Sequence, residues 1–231
     1  MVKPMEIERK LKALDRIFAV YDDLIRTQDS ACMMRCHACC TTHVSLTTLE
    51  AYKICQTLPA GEREKLFGRV REASGLKRFR PAVTTNALAE LCAENEDLPL
   101  ENDEFVAEEC PLLAEDLCTI YALRPFNCRC FISRVPCAEK GYADVSEELL
   151  AVNTLFLQTI EHLDADGCSG NLLDLLELLA SEEQRAFYAA GSLNCSGNVL
   201  IANHPLKVLM LPPEQREKIN PIMQKLREIR V

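Results

Sequence analysis

Cys32-Met33-Met34-Arg35-Cys36-His37-Ala38-Cys39-Cys40 places four thiols within nine consecutive residues. A second group lies about seventy residues later: Cys110, Cys118, Cys128, Cys130 and Cys137. Thiols at this density either pair as disulfides or, as thiolates, hold a soft or borderline metal such as zinc or iron. The choice decides the fold, because a metal shared by both groups closes the intervening chain into one loop.

Composition narrows that choice. The chain has 231 residues, of which 48% are hydrophobic, so it can bury an ordinary core and needs no cross-links to offset small size. Thirteen cysteines is an odd number, which rules out complete internal pairing. The opening segment, MVKPMEIERKLKALDRIF, carries charges throughout and lacks the apolar heart of a signal peptide. No run approaches the roughly 18 apolar residues of a membrane span. These features point to a cytoplasmic protein with no membrane partner. In that reducing compartment disulfides are rare, and clustered thiols more often bind metal or do redox work. The net charge of -9 argues against non-specific nucleic-acid binding, which needs basic surface. The acids are concentrated: Glu94 to Asp116 holds ten Asp or Glu and no Lys or Arg. A solvated acidic face is the plain reading of 94–116, and docking of a basic protein partner the sharper one.

Periodicity predicts a mainly α protein. Ile7, Leu11, Leu14, Ile17, Phe18, Tyr21, Leu24 and Ile25 recur at helical spacing over 5–27. Thr47 and Glu50 form a capping-box pattern that starts a helix over 48–58. Further helices are expected over 62–74, 84–93, 146–163, 171–180 and 182–190, with Ser181 and Gln184 as a cap and Asp164-Ala165-Asp166-Gly167 as a turn. The tail from Pro213 reads as helix interrupted at Pro221. Residues 110–138 are broken by Pro111, Pro125 and Pro136, with short β pairing expected around Cys118–Tyr121 and Phe131–Ser133. The organisation is thus an irregular cysteine-rich metal-binding core over 1–140 and a helical carboxy-terminal part over 141–231, packed on the first as one unit.

Structural zinc takes four thiolate or imidazole ligands, and a [4Fe–4S] cluster takes four thiolates. Cys36-x-x-Cys39 lets one turn present two sulfurs, and the second group can supply the rest from far along the chain. Cys39 and Cys40 are adjacent, and successive side chains diverge, so they are expected to serve different centres or to divide between binding and packing. Arg124 and Arg129 can offset thiolate charge, or pair with the acidic stretch instead. Cys130 and Cys137 lie close enough to join the site, whereas Cys55, Cys92, Cys168 and Cys195 read as packing or incidental thiols. His37 and His43 flank the first group and are expected not to ligate.

The spacing C-x3-C-x2-C-C, followed by C-P-x-L, C-x-I-Y-x2-R-P and C-R, resembles a bacterial cysteine-cluster family of zinc- or iron-chelating proteins. The resemblance covers Cys32–Cys40 and Cys110–Arg129. It implies chelation of zinc or an iron–sulfur centre through Cys32, Cys36, Cys39, Cys40, Cys110, Cys118 and Cys128, in a structural or accessory role. A flagellin lysine N-methylase is similar in its thiol cluster. The resemblance therefore also carries an enzymatic alternative, redox chemistry or protein-lysine methyl transfer.

Overall fold

A computed structural model describes residues 4–33, 35–100, 107–195 and 199–229. The architecture is mainly α. Helix α1 (Pro4–Ile25) is followed by the thiol segment, strand β1 (Ser45–Thr47), and helices α2 (Thr48–Thr57), α3 (Ala60–Glu72) and α4 (Thr85–Glu94). The second thiol group lies on a hairpin of β2 (Leu113–Ala114) and β3 (Leu117–Cys118), on short helix α5 (Phe126–Cys130) and on α6 (Cys137–Lys140). Then come α7 (Glu147–Leu163), β4 (Cys168–Asn171), α8 (Leu172–Leu178), α9 (Glu182–Ala189), β5 (Leu200–Ala202) and α10 (Arg216–Arg227).

The helices form where expected. The Thr47–Glu50 capping box is complete, with the Thr47 side chain accepting from Glu50 N and the Glu50 carboxylate accepting from Thr47 N. Ser146 and Ser181 cap α7 and α9. Pro221 does not interrupt the tail: α10 runs through it, and Ile219 and Leu226 on its two sides are both buried. One forgone hydrogen bond is offset by the apolar face that those residues bury.

The strands differ from expectation. Pairing falls on Leu113–Ala114 with Leu117–Cys118, whereas Tyr121–Leu123 forms a 3-10 turn and Phe131–Ser133 forms no strand. Pro125 limits extended structure beyond Cys118. A three-stranded antiparallel sheet, order β1-β4-β5, is a further departure. Its strands are three or four residues long, too short to show a period of two.

That sheet joins the two halves. Ser45 pairs with Asn171 and Thr47 with Ser169. One hydrophobic cluster runs from Ile7 on α1 to Leu226 on α10. At its centre Tyr21, Phe126 and Phe156 meet, with Tyr21 edge-on to both rings at 4.7 and 5.0 Å and the two phenylalanines stacked at 5.5 Å. This trio ties α1 and α7 to α5, the helix that carries Cys128. The Tyr21 hydroxyl donates to Asn153 Oδ1 at 2.7 Å in the buried interior. Tyr21→Phe is expected to lower stability by about 1–2 kcal/mol, because the buried Asn153 amide loses its donor. Urea denaturation measures this, and an unchanged midpoint would show the bond to be without net effect.

The Asp164–Gly167 turn carries more than a change of direction. Asp164 is buried, and its carboxylate accepts from Thr48 Oγ1 at 2.6 Å, Leu49 N at 3.0 Å, Tyr188 Oη at 2.6 Å and Asn203 Nδ2 at 3.1 Å. It thereby joins the start of α2, the end of α7, α9 and the residue after β5. Gly167 is required here, because a Cβ at that position would collide with Thr48 Oγ1 and both Asp164 oxygens.

Candidate metal centre

The two thiol segments run side by side. Cys110 N donates to Cys40 O at 2.9 Å, Thr41 and Glu109 form an antiparallel bridge, and Thr42 N donates to Glu108 O at 2.9 Å. Past Cys110 the β2–β3 hairpin turns back, and Thr119 N donates to Leu112 O at 2.9 Å, which brings Cys118 opposite Leu113. The hairpin turn is Glu115-Asp116, both at positive φ (52° and 64°), the two-residue geometry that matches strand twist. Arg35, between Cys32 and Cys36, also holds positive φ, 67°. Such conformations cost on the order of 1 kcal/mol each for residues with side chains, and they concentrate where surrounding structure enforces a site.

Cys128 is placed by groups outside the thiol segments. The capping glutamate of α2 has a second use: Glu50 Oε1 accepts from Phe126 N at 2.7 Å, at the first turn of α5. Asn127 Nδ2 donates to Ser45 O at 2.8 Å, fixing α5 against β1. Pro125 holds the entry to α5 in extended conformation. Cys128 therefore hangs from a turn pinned to both α2 and β1.

The resulting thiols feel one another. Burial pushes the Cys128 thiol well up, and Cys110, Cys118, Cys130 and Cys39 each add to the shift. Burial raises Cys110 to about 11, with Cys118 contributing, and burial raises Cys118 in the same direction. The adjacent pair departs from expectation. Cys39 and Cys40 act on each other: their interaction is the main cause that lowers Cys39 to about 6 and raises Cys40, and burial, Cys110 and Cys128 raise Cys40 further. A local turn precedes this pair's second member, in which Cys40 N donates to His37 O at 2.8 Å. Cys39, Cys40, Cys110, Cys118 and Cys128 are thus one neighbourhood, which Cys130 also joins electrostatically through Cys128 and Cys39. Cys32 and Cys36 are exposed, and neither ranks among the charges that shift the other thiols.

The arginines divide. Arg129 is buried, donates to Asp22 of α1 at 3.0 Å and to the carbonyls of Arg124 and Ala122, and lies 4.4 Å above the Phe18 ring; among the described residues its ion pair is to α1 and not to the acidic stretch. It fastens the second thiol segment to α1. Arg124 lies 4.0 Å over the Tyr121 ring, and its charge lowers both Cys39 and Cys118. Its Nε is buried with no acceptor among the described residues. An orphan donor beside several thiols is where a thiolate would be stabilised.

The remaining cysteines take separate places. Cys55 is fully buried in α2, raised by burial to about 11, and packs as expected; Cys92 is exposed. Cys130 is raised by burial to about 12, with Glu50 and Cys39 adding, and its thiol lies 3.4 Å from Asn127 O. Cys137 faces Val135 O at 3.8 Å. Cys168 and Cys195 are not incidental thiols: they form a disulfide across 27 residues that ties the start of β4 to the segment before β5. Spacing alone could not show this, since residues that distant meet only through the sheet. Cys195→Ser is expected to cost about 3 kcal/mol, from the loop-closure entropy returned to the unfolded chain. Thermal melts with and without reductant check this: the wild type should shift toward the variant, and the variant should gain no further loss at that bond. His37 lies 3.6 Å from Asp116 and His43 lies 5.9 Å from the Phe79 ring.

Comparisons with protein-family models, with curated proteins and with solved structures give no match to this chain. Among the described residues, no three His, Cys, Asp or Glu side chains are already set as a coordination shell. The donor chemistry nonetheless fits a soft metal: five neighbouring thiols, four of them partly buried, share a hydrogen-bonded frame with an unsatisfied guanidinium donor beside them.

Proposed function

We propose that the chain binds zinc or an iron–sulfur centre through the thiols of Cys39, Cys40, Cys110, Cys118 and Cys128, in a structural or accessory role. The observation that carries this reading is the hydrogen bond from Cys110 N to Cys40 O, which fastens the two thiol segments together. Cys32 and Cys36, exposed on the same segment, are ligands only if that segment folds inward. A cation would offset the burial and the added thiolate repulsion that raise Cys110 and Cys128. Partial burial of these sulfurs favours a closed centre over a catalytic one, which keeps an open position.

A cytoplasmic setting belongs to this reading, because eleven free thiols persist where reductants maintain them. The Cys168–Cys195 bond is the exception, and its Cys168 end is fully buried, away from soluble reductants. No described helix is long and apolar enough to cross a membrane. The acidic stretch 94–116 is proposed as the face for a basic protein partner; residues 101–106 within it lie outside the described residues.

Anaerobic purification followed by elemental analysis and an absorbance scan tests the proposal. Bound zinc in a colourless protein, or iron with acid-labile sulfide and broad absorption near roughly 400 nm, as iron–thiolate charge transfer gives, is the expected result. Absence of both, after reconstitution with each metal, would reject it.

A further inference from the structure

A cavity of about 590 Å³ lies between α1, α7 and α10, away from the thiols. From Lys10 on its wall to Asp22, where Arg129 docks, is twelve residues of one helix, roughly 18 Å at the rise of an α-helix. The cavity's described lining contains no cysteine, so binding there can be tested apart from the thiol centre.

We infer that this cavity is a binding site for a single-chain aliphatic monocarboxylate. Its volume falls within the range of small-molecule sites. Its walls are mostly aliphatic, with Ile17, Leu155, Leu209 and Met223 from the three helices and the segment before α10; the one ring among the described lining residues is the His162 imidazole, whose Nδ1 accepts from Leu206 N at 3.2 Å. The lining holds no Phe, Tyr or Trp to stack a large flat ligand, whereas a flexible chain fits branched and thioether side chains.

The rim selects the head group. The Lys10 side chain is 12% exposed, and its ion-pair partner, Asp166 at 3.3 Å, is 68% exposed. The Lys10 stem is thus mostly covered, and its ammonium, with three donors, makes one long contact to a solvated carboxylate. Arg227 stands on the same rim with no ion pair among the described residues. Glu6 and Asp166 also line the mouth. The two cations can accept one added negative charge, while the two carboxylates disfavour a doubly charged head such as a phosphate monoester.

The test uses the full chain and cis-parinaric acid, a polyene fatty acid that fluoresces in apolar surroundings. Saturable binding at one site per chain is expected, with dodecanoate displacing the probe about tenfold better than dodecanol, the value of one charge-assisted contact. Lys10→Met should weaken parinarate about tenfold and erase that preference, and Lys10→Arg should restore it. The chain has no tryptophan, so Leu209→Trp installs a single donor in the cavity, and energy transfer to bound parinarate locates the probe there. Equal displacement by acid and alcohol, unsaturable binding, or no energy transfer would overturn the inference. If Lys10→Met proves unfolded by circular dichroism, the acid-to-alcohol ratio in the wild type decides.

Discussion

Cys128→Ser is expected to strip the protein of bound metal and to destabilise it by on the order of 4 kcal/mol, the scale reached when a metal site is lost. Cys128 hangs from α5, which Glu50, Asn127 and the Tyr21–Phe126–Phe156 trio hold in place. Serine keeps the size of the side chain but removes the soft donor, so the loss reports coordination rather than packing. Cys36→Ser is the comparison, because Cys36 is exposed and outside the shared neighbourhood. Its metal content should fall far less. Metal-to-protein ratios and thermal melts on the two variants, prepared together, give the answer; equal ratios in Cys128→Ser and wild type would remove the basis of the assignment.

Asp164→Ala should be the most damaging single change away from the thiols. It leaves the Thr48 and Tyr188 hydroxyls, Leu49 N and Asn203 Nδ2 without their shared acceptor in the buried interior. Stranded donors cost about 1–3 kcal/mol each, so a loss on the order of 5 kcal/mol is expected, comparable to the whole stability of many domains. The same residue gives a pH signature. Burial raises Asp164 from 3.8 to about 6, against the lowering effect of its hydrogen bonds. Between these values the folded chain binds more protons than the unfolded one. Its contribution is therefore complete below about pH 4 and is lost as the pH rises through about 6. Asp164→Asn, neutral throughout, should flatten that fall. Glu50, also raised by burial, leaves a residual slope of the same sign. Urea midpoints at several pH values check this, and parallel slopes in variant and wild type would refute the role given to Asp164.

Much of the fold is legible in the sequence because its signals are local. The α1 stripe, the Thr47–Glu50 box, and the apolar positions Leu149, Val152, Leu155, Phe156, Ile160 and Leu163 of α7 all announce helices, and the α7 positions are buried. The short strands are not legible, since three residues cannot display alternation and their pairing spans more than 120 positions, as between Thr47 and Ser169. Spacing identifies the thiols as a group but cannot say which of them face one another. The turn that ends at Cys40 is a backbone feature, as is the Cys40–Cys110 hydrogen bond. Glu50 reads as a cap, yet its second oxygen, which holds α5, answers to a residue 76 positions away. Asp164 reads as turn chemistry because nothing in its neighbours names Tyr188 or Asn203 as partners.

Strand β1 leaves the first thiol segment and takes β4 as its only neighbour in the sheet. On the ribosome, residues 168–171 emerge more than 120 residues after Ser45, a delay on the order of ten seconds at ordinary synthesis rates. Throughout that interval the nascent sulfurs have no finished pocket to enter. If the chain binds metal as proposed, loading would be a late event in its biogenesis, and until then the newborn chain would depend on its surroundings to keep those sulfurs reduced and unclaimed.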